Sequence, residues 1–189
     1  MMELAGAKTT ARTGWQRIGI KTPESLADHS ALSGQIAYVL ALMEGANADR
    51  AAALSLFHDQ AELRIGDANW VARTYIDHES MKVAAIGDQI NGLPIAAGLS
   101  SLQDELKAGQ SKEAVIAYDA DWIDMAIQSK YYADAGNKKA LLWLESIQDN
   151  IRTESGKEIL AAIKNTGIED WWMEMDSIKK KFEELRKNS

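Results

Sequence analysis

The sequence predicts an all-α protein, a helical bundle of about seven or eight helices, on three observations. Apolar residues recur at three- and four-residue steps, as in Ile168, Trp171, Met175, Ile178, Phe182 and Leu185. No stretch alternates apolar and polar residues as a half-buried strand does. Only two prolines, Pro23 and Pro94, interrupt 189 residues, and proline is the residue that most disrupts a helix interior.

Residues 1–21 read as an irregular or weakly helical arm. Thr22-Pro23-Glu24 reads as a helix start: Thr22 can cap free amides, Pro23 suits the first helical position, and Glu24 favours the positive end of the dipole. That helix should run to about Glu44, with Leu26, Ile36, Val39 and Leu40 among its apolar positions, and end at Gly45-Ala46-Asn47. Asn47 or Asp49 opens a second helix, from Ala51 to about Arg64, stopped by Gly66-Asp67. A third is expected near 77–90, then a break at Gly92-Leu93-Pro94 and a further helix over 95–107. Gly109 and Ser111 precede a long helix from about Lys112 to Ala135, closed by Gly136-Asn137. Segments 138–150 and 156–165 also read as helical, and the amphipathic stretch quoted above follows them. We expect one domain over 1–189, with 1–21 as an arm contributing to the site and 138–189 as a C-terminal helical extension.

Composition narrows the function. A hydrophobic share of 46% is enough for a real core. Net charge is −7, and the densest basic run, Lys179-Lys180-Lys181, is followed by Glu183 and Glu184. Duplex binding needs clustered cations that displace counterions, so bulk nucleic acid is not an expected partner. A small anion remains compatible, because a bound metal would supply the positive charge locally. The absence of cysteine excludes disulfides, thiolate metal sites and cysteine nucleophiles, and fits a reducing compartment. The start, Met1-Met2-Glu3-Leu4-Ala5-Gly6-Ala7, is too short and acidic for a signal core, and no apolar run reaches membrane length. The expected location is the cytoplasm, with no membrane partner.

The chemistry centres on histidine. There are three: His29, His58 and His78. Phe57-His58-Asp59-Gln60-Ala61-Glu62 is the most informative stretch. His58 and Asp59 point about a quarter turn apart on a helix, and can share one ion lying against its wall, with Glu62 one turn on. Neutral imidazoles and carboxylates are good ligands for a divalent transition metal, and such a mixed set can leave sites open for water and a phosphate oxygen. A His-Asp pair alone is more often structural. Asp28-His29 one helix earlier, and Tyr118-Asp119-Ala120-Asp121-Trp122-Ile123-Asp124 in a later apolar helix, strengthen the metal reading, since buried acids are costly without a partner. Spacing alone leaves Asp119 and Asp121 both open.

Taken in order, these motifs resemble the HD-domain metal-dependent phosphohydrolase superfamily. The pattern Arg12-Thr13-Gly14-Trp15, Pro23-Glu24-Ser25-Leu26-Ala27-Asp28-His29, His58-Asp59-Gln60-Ala61-Glu62 and Gly66-Asp67 is similar to the HD-domain 5′-deoxynucleotidases, over roughly residues 10–130. The resemblance implies a metal held by His29, His58, Asp59 and Asp121, where Trp122-Ile123-Asp124-Met125 continues the family's pattern better than a register on Asp119. It implies Glu62 as the catalytic acid or base and Asp67 as a further active-site carboxylate. Trp15 would contact the base and Arg12 the phosphate. The implied cofactor is one divalent transition metal ion (Mn, Co, Fe, Ni or Zn), the substrate a deoxyribonucleoside 5′-monophosphate, and the assembly a homodimer. Two departures stand out: Gly14 immediately precedes the Trp, where some members carry Arg, and Tyr118 occupies a place where some relatives carry Lys. The second keeps a triphosphate or specialised nucleotide in view as substrate. A non-catalytic, metal-stabilised nucleotide-binding module is the reading from a different class.

Other residues read more plainly. His78 looks like the start of a surface helix capped by Asp77, and Arg17 like a solvated charge. Trp122, Trp143, Trp171 and Trp172 read as packing residues, with one of the adjacent pair free for a subunit interface.

Overall fold

Helix boundaries are set locally by short polar side chains. In the computed structural model, which describes residues 2–187, Asn47, Asp77, Ser111 and Thr153 each accept a hydrogen bond from an amide three residues on. After a 3₁₀ turn at Glu3–Lys8 come α1 (Thr13–Gln16), α2 (Leu26–Glu44), α3 (Ala48–Phe57), α4 (Glu62–Ile65) and α5 (Trp70–Arg73). There follow α6 (His78–Ile90), α7 (Ala96–Ala108), α8 (Lys112–Asp134) and a 3₁₀ turn at Lys138–Ala140. The chain continues through α9 (Leu141–Ile147), α10 (Glu154–Asn165), α11 (Asp170–Met173) and α12 (Asp176–Lys187). Eight of the α-helices have seven residues or more, and the described residues contain no strand, so the protein is all-α as expected. No helix among them is long and apolar enough to cross a membrane.

Three boundaries differ from expectation. The first long helix starts after Ser25, not at Thr22-Pro23. Ser25 and Asp28 form a reciprocal capping box, the Ser25 hydroxyl accepting from the Asp28 amide at 3.1 Å and the Asp28 carboxylate accepting from the Ser25 amide at 2.9 Å. The residues just before it commit their backbone to the arm: the Arg12 amide donates to the Glu24 carbonyl and the Leu26 amide to the Thr10 carbonyl. The expected 51–64 helix is interrupted at residues 58–61, and the C-terminal amphipathic stretch is split into α11 and α12. Val39, expected among the apolar positions of α2, is solvent-exposed.

The core lies between α2, α3 and α8, closed by α9 and α10, and is built on Leu40, Ile116, Ile123, Ile147 and Leu160 among many alanines. Small residues let α2 and α3 approach closely. A Cβ on Gly34 would lie 2.8 Å from Leu56 Cγ, and the buried hydroxyls of Ser33 and Ser55 pair at 2.8 Å. His29 lies one turn before Ser33 and His58 three residues after Ser55, so this seam carries both imidazoles to one place. A separate cluster of Trp15, Tyr132, Ala133 and Ala140 pins the N-terminal arm against the end of α8.

Asp119 belongs to the scaffold. Its buried carboxylate accepts from the amides of Arg152 and Thr153 and from the Thr153 hydroxyl, at 2.7–3.1 Å, just before α10. Replacing it strands those donors. Asp119→Ala should therefore lower the unfolding free energy by roughly 3 kcal/mol in urea denaturation. A loss within about 0.5 kcal/mol, the range of ordinary surface changes, would show that the loop before α10 holds itself.

Candidate metal centre

α3 stops at Phe57 because the chain tightens there. The amides of His58, Gln60 and Glu62 bond to carbonyls three residues back, at 3.5, 3.3 and 2.9 Å. Adjacent residues diverge on a regular helix. In this turn the Asp59 carboxylate instead comes within 3.1 Å of His58 Nε2. The opposing helix brings His29 Nε2 to 3.2 Å from His58 Nε2 and 3.7 Å from Asp59 Oδ2. Asp121 Oδ1, from α8, stands 3.2 Å from His29 Nε2 and 3.8 Å from His58 Nε2. The two imidazoles thus have Asp59 on one hand and Asp121 on the other, each within 3.8 Å of both. Residues two apart on a helix point to nearly opposite sides, so Asp119, turned to the α10 loop, cannot join them.

The donor chemistry fits a divalent ion. Each imidazole has its outer nitrogen engaged: His29 Nδ1 donates to Asp124 at 2.6 Å and His58 Nδ1 to the Ser55 carbonyl at 2.5 Å. That arrangement leaves the inner nitrogens as the ones that would offer a lone pair to a metal, the usual backing of a metal-bound histidine. Ligands about 2.1 Å from a shared cation lie roughly 3.0–3.4 Å from one another, and the spacings above need only a small contraction. His29, His58 and Asp121 could hold the ion with atoms within 4.8 Å of one another.

Electrostatics point the same way. Burial would raise the Asp59 carboxyl, but His58, with Lys82 and Arg12, holds it well below the usual carboxylate range. Burial would likewise raise Asp121, and its hydrogen bonds with His29 and His58 depress it instead. Burial and Arg12 would lower the His29 imidazole; Asp121 and Asp124 overcome both and raise it to about 9. His58 is raised well above its ordinary value, burial being outweighed by Asp59 and Asp121. Without a metal, protons take the cation's place between the acids.

The arm reaches this centre. Arg12 NH1 lies 3.2 Å from Asp59 Oδ2 and 3.6 Å from Asp67 Oδ1. Asp67 accepts from the Thr13 amide at 2.5 Å and the Thr13 hydroxyl at 3.0 Å, which fastens the arm beside the site. Trp15 is only 2% exposed; its indole donates to Glu24 at 2.9 Å and its ring packs on Tyr132 and Trp143. Glu62 is fully buried, with Oε1 3.6 Å from Arg73 NH2 and 3.7 Å from His78 Nε2.

A cleft of about 680 Å³ opens over the centre, bordered by Arg12, Trp15, His58, Asp59, Asp67 and Asp121. Sequence reasoning missed several of its other features. Lys82 Nζ sits 3.4 Å from Asp59 Oδ1. Trp70, half exposed, stacks on Trp143 with an interplanar angle of 15°, and Trp122 borders the same space. Trp122 and Trp143, expected only as packing residues, therefore also wall the cleft. Arg17 is exposed as expected and borders it too. His78 does begin a helix capped by Asp77, but its imidazole is 7% exposed rather than on the surface. No periodicity marks Lys82 or Trp70.

The family model described as HD domain matches residues 4–164. The chain is 30% identical over 153 residues to the 5′-deoxynucleotidase HDDC2 of Bos taurus, covering 79% of this chain and 72% of that one. It is 30% identical over 136 residues to the 5′-deoxynucleotidase hdd1 of Schizosaccharomyces pombe, covering 68% of each. Among solved structures, a conserved hypothetical protein of Pyrococcus furiosus superposes with a TM-score of 0.74 at 25% identity, over 87% of this chain and 97% of that one. A protein of Pyrococcus horikoshii gives 0.74 at 28% identity, over 86% and 95%.

Two outcomes test the centre. His29, raised to about 9, is protonated at neutral pH without metal, so a divalent ion must displace protons. Apparent metal affinity should climb from pH 6.5 towards 9, with proton release measurable by calorimetry in buffers of different ionisation enthalpy. The sign reverses for the metal-free fold: a raised imidazole stabilises fully below its unfolded pKa and loses that contribution as pH passes about 9. Separately, Asp121→Ala should abolish stoichiometric metal while Asp119→Ala retains it, read by elemental analysis.

Proposed function

The chain belongs to the HD domain family, and we propose that it is a metal-dependent 5′-nucleotidase that releases phosphate from deoxyribonucleoside 5′-monophosphates. The observation that carries this reading is a pair of imidazole nitrogens 3.2 Å apart with the carboxylates of Asp59 and Asp121 each 3.1–3.8 Å from them, beside a cleft also bordered by Arg12 and Trp15. In it, His29, His58, Asp59 and Asp121 hold one divalent transition metal. When bound, that ion neutralises phosphate charge and lowers the pKa of water.

The remaining steps fall to the chain's own groups. Arg12, kept charged by Asp59, Asp121 and Asp67 against the opposing effect of burial, faces the phosphate and balances the charge that grows as the ester bond breaks. Glu62 is pushed up to about 8 by burial, then by Asp59 and Asp67. It carries a proton at neutral pH and can give it to the departing 5′ oxygen, a role that suits a carboxyl with a raised pKa. Asp67 holds Thr13, and so keeps the arm and Arg12 in register. The Trp143–Trp70 stack, backed by the buried Trp15, supplies an aromatic wall for the base, a kind of contact that tolerates different bases. The same reading takes the protein as cytoplasmic and as a homodimer; the exposed Tyr38, Val39, Leu42 and Met43 of α2 support the latter.

A longer phosphate chain is the second reading, favoured by Arg73, Lys82 and Lys107 on the cleft lining. The products separate the two, since a monophosphatase yields only inorganic phosphate while a triphosphatase yields pyrophosphate or triphosphate.

Protein purified without chelator should release phosphate from dAMP, dGMP or dTMP, lose that activity with EDTA and regain it with manganese or cobalt. No release from any nucleotide by metal-loaded protein would sink the nucleotidase reading. Glu62→Gln should lower kcat by about 100-fold or more while metal and nucleotide still bind. Unaltered output from that variant would instead favour a non-catalytic binding module.

A further inference from the structure

Glu62 presents an unsolved problem of satisfaction. Both of its carboxyl oxygens are buried and, among the described residues, neither has a hydrogen-bond partner. Buried polar atoms normally find one, because leaving them bare costs their lost hydration. At the first residue of α6, the Nε2 atom of His78 is in the same condition among the described residues: buried, with no hydrogen-bond partner. The two bare atoms face each other, Glu62 Oε1 to His78 Nε2, across 3.7 Å. A modest side-chain rotation closes that gap to hydrogen-bond length.

We propose that His78 is the positioning residue for Glu62, its Nε2 forming the hydrogen bond that aims the carboxyl and selects which oxygen carries the proton. This rests on the reading of Glu62 as the proton-handling group. Geometry argues for it in three ways. Glu62 is fully buried, so the side chains packed around it bear on its orientation. The backbone fixes the neighbour: α4 and α6 pack together, and Asp77 caps α6 so that His78 starts the first turn. The other group near Oε1, Arg73 at 3.6 Å, is already committed through its Nε to the Ala68 carbonyl at 2.7 Å and is half-exposed. The charged groups around His78 are Glu62, Glu79 at 3.9 Å from Nδ1, Arg73, Lys82 and Asp59. Burial, then Arg73 and Lys82, lower the His78 imidazole, which keeps it neutral and able to donate or accept at Nε2. His78 is outside the set of residues that meet at the metal centre, so its replacement leaves those four in place.

The test uses the full, metal-loaded chain with dAMP as probe. His78→Leu should cut kcat by about tenfold or more with KM within about twofold and metal content unchanged. His78→Gln, which returns an amide near the Nε2 position, should recover most of that loss and covers the case in which the leucine variant folds poorly. The double variant Glu62→Gln/His78→Leu should be no slower than Glu62→Gln alone, because a residue acting through another adds nothing once the other is gone. A readout independent of turnover is the ¹⁵N imidazole spectrum, simple in a chain of three histidines. Glu62→Gln should move the His78 Nε2 resonance and leave those of His29 and His58 in place. A His78→Leu variant within twofold of the parent kcat, a His78→Gln variant as slow as His78→Leu, multiplicative losses in the double variant, or an unmoved His78 resonance would each overturn the proposal. Unchanged turnover in Glu62→Gln would instead overturn the proton-handling reading beneath it.

Discussion

Two imidazole nitrogens held 3.2 Å apart in a buried seam, with their outer nitrogens already engaged, are the constraint on which the rest of the structure turns. Lone pairs at that separation repel unless a proton or a metal ion lies between them. Two carboxylates complete the enclosure and make a cation the natural occupant. The scaffold around it serves to hold this unfavourable set together. Gly34 and the Ser33–Ser55 pair permit α2 and α3 to approach, and the tightened turn after Phe57 swings Asp59 to His58. Asp124, buried in α8, steadies His29 from behind.

The same cluster of negative charge organises the N-terminal arm. Arg12 is drawn to Asp59 and Asp67, Thr13 is fastened by Asp67, and Trp15 is clamped between Tyr132 and Trp143 while donating to Glu24. Glu24, raised to about 7 by burial and by Asp124, shares that space with His29. The arm is therefore tied to the centre by electrostatics at one residue and by aromatic packing three residues later. A substitution in either tie would be felt at the other, because neighbouring interactions in one network do not add independently.

Above the centre, the cleft joins two kinds of surface. Its lining carries acids with Arg12, Arg73 and Lys82, and it also carries the rings of Trp70, Trp122 and Trp143. A ligand with a charged end and a flat apolar end matches that division, which is the shape of a nucleotide. Tyr118, standing where some relatives have a lysine, gives its hydroxyl to the Leu106 carbonyl and so works as a tie between α7 and α8. Lys82, from α6, contributes a positive charge at the Asp59 carboxylate.

Much of this was legible in the chain alone. Helical content and most boundaries follow from periodicity and capping residues, because each depends on neighbours a few residues away, while His29, His58 and Asp59 stood out as candidate ligands through ordered motifs and the family resemblance those motifs carry. The sequence by itself could not separate Asp119 from Asp121 by spacing, since both sit on one helix among apolar residues. Only the packing of α10 against α8 turned one into an anchor for the loop before α10 and left the other facing the histidines. Nor could it show that Pro23 precedes its helix, that Trp15 is clamped rather than free, or that His78 is buried against Glu62. Those outcomes depend on which distant segment fills the space beside each residue, and local propensity carries no information about a partner a hundred residues away.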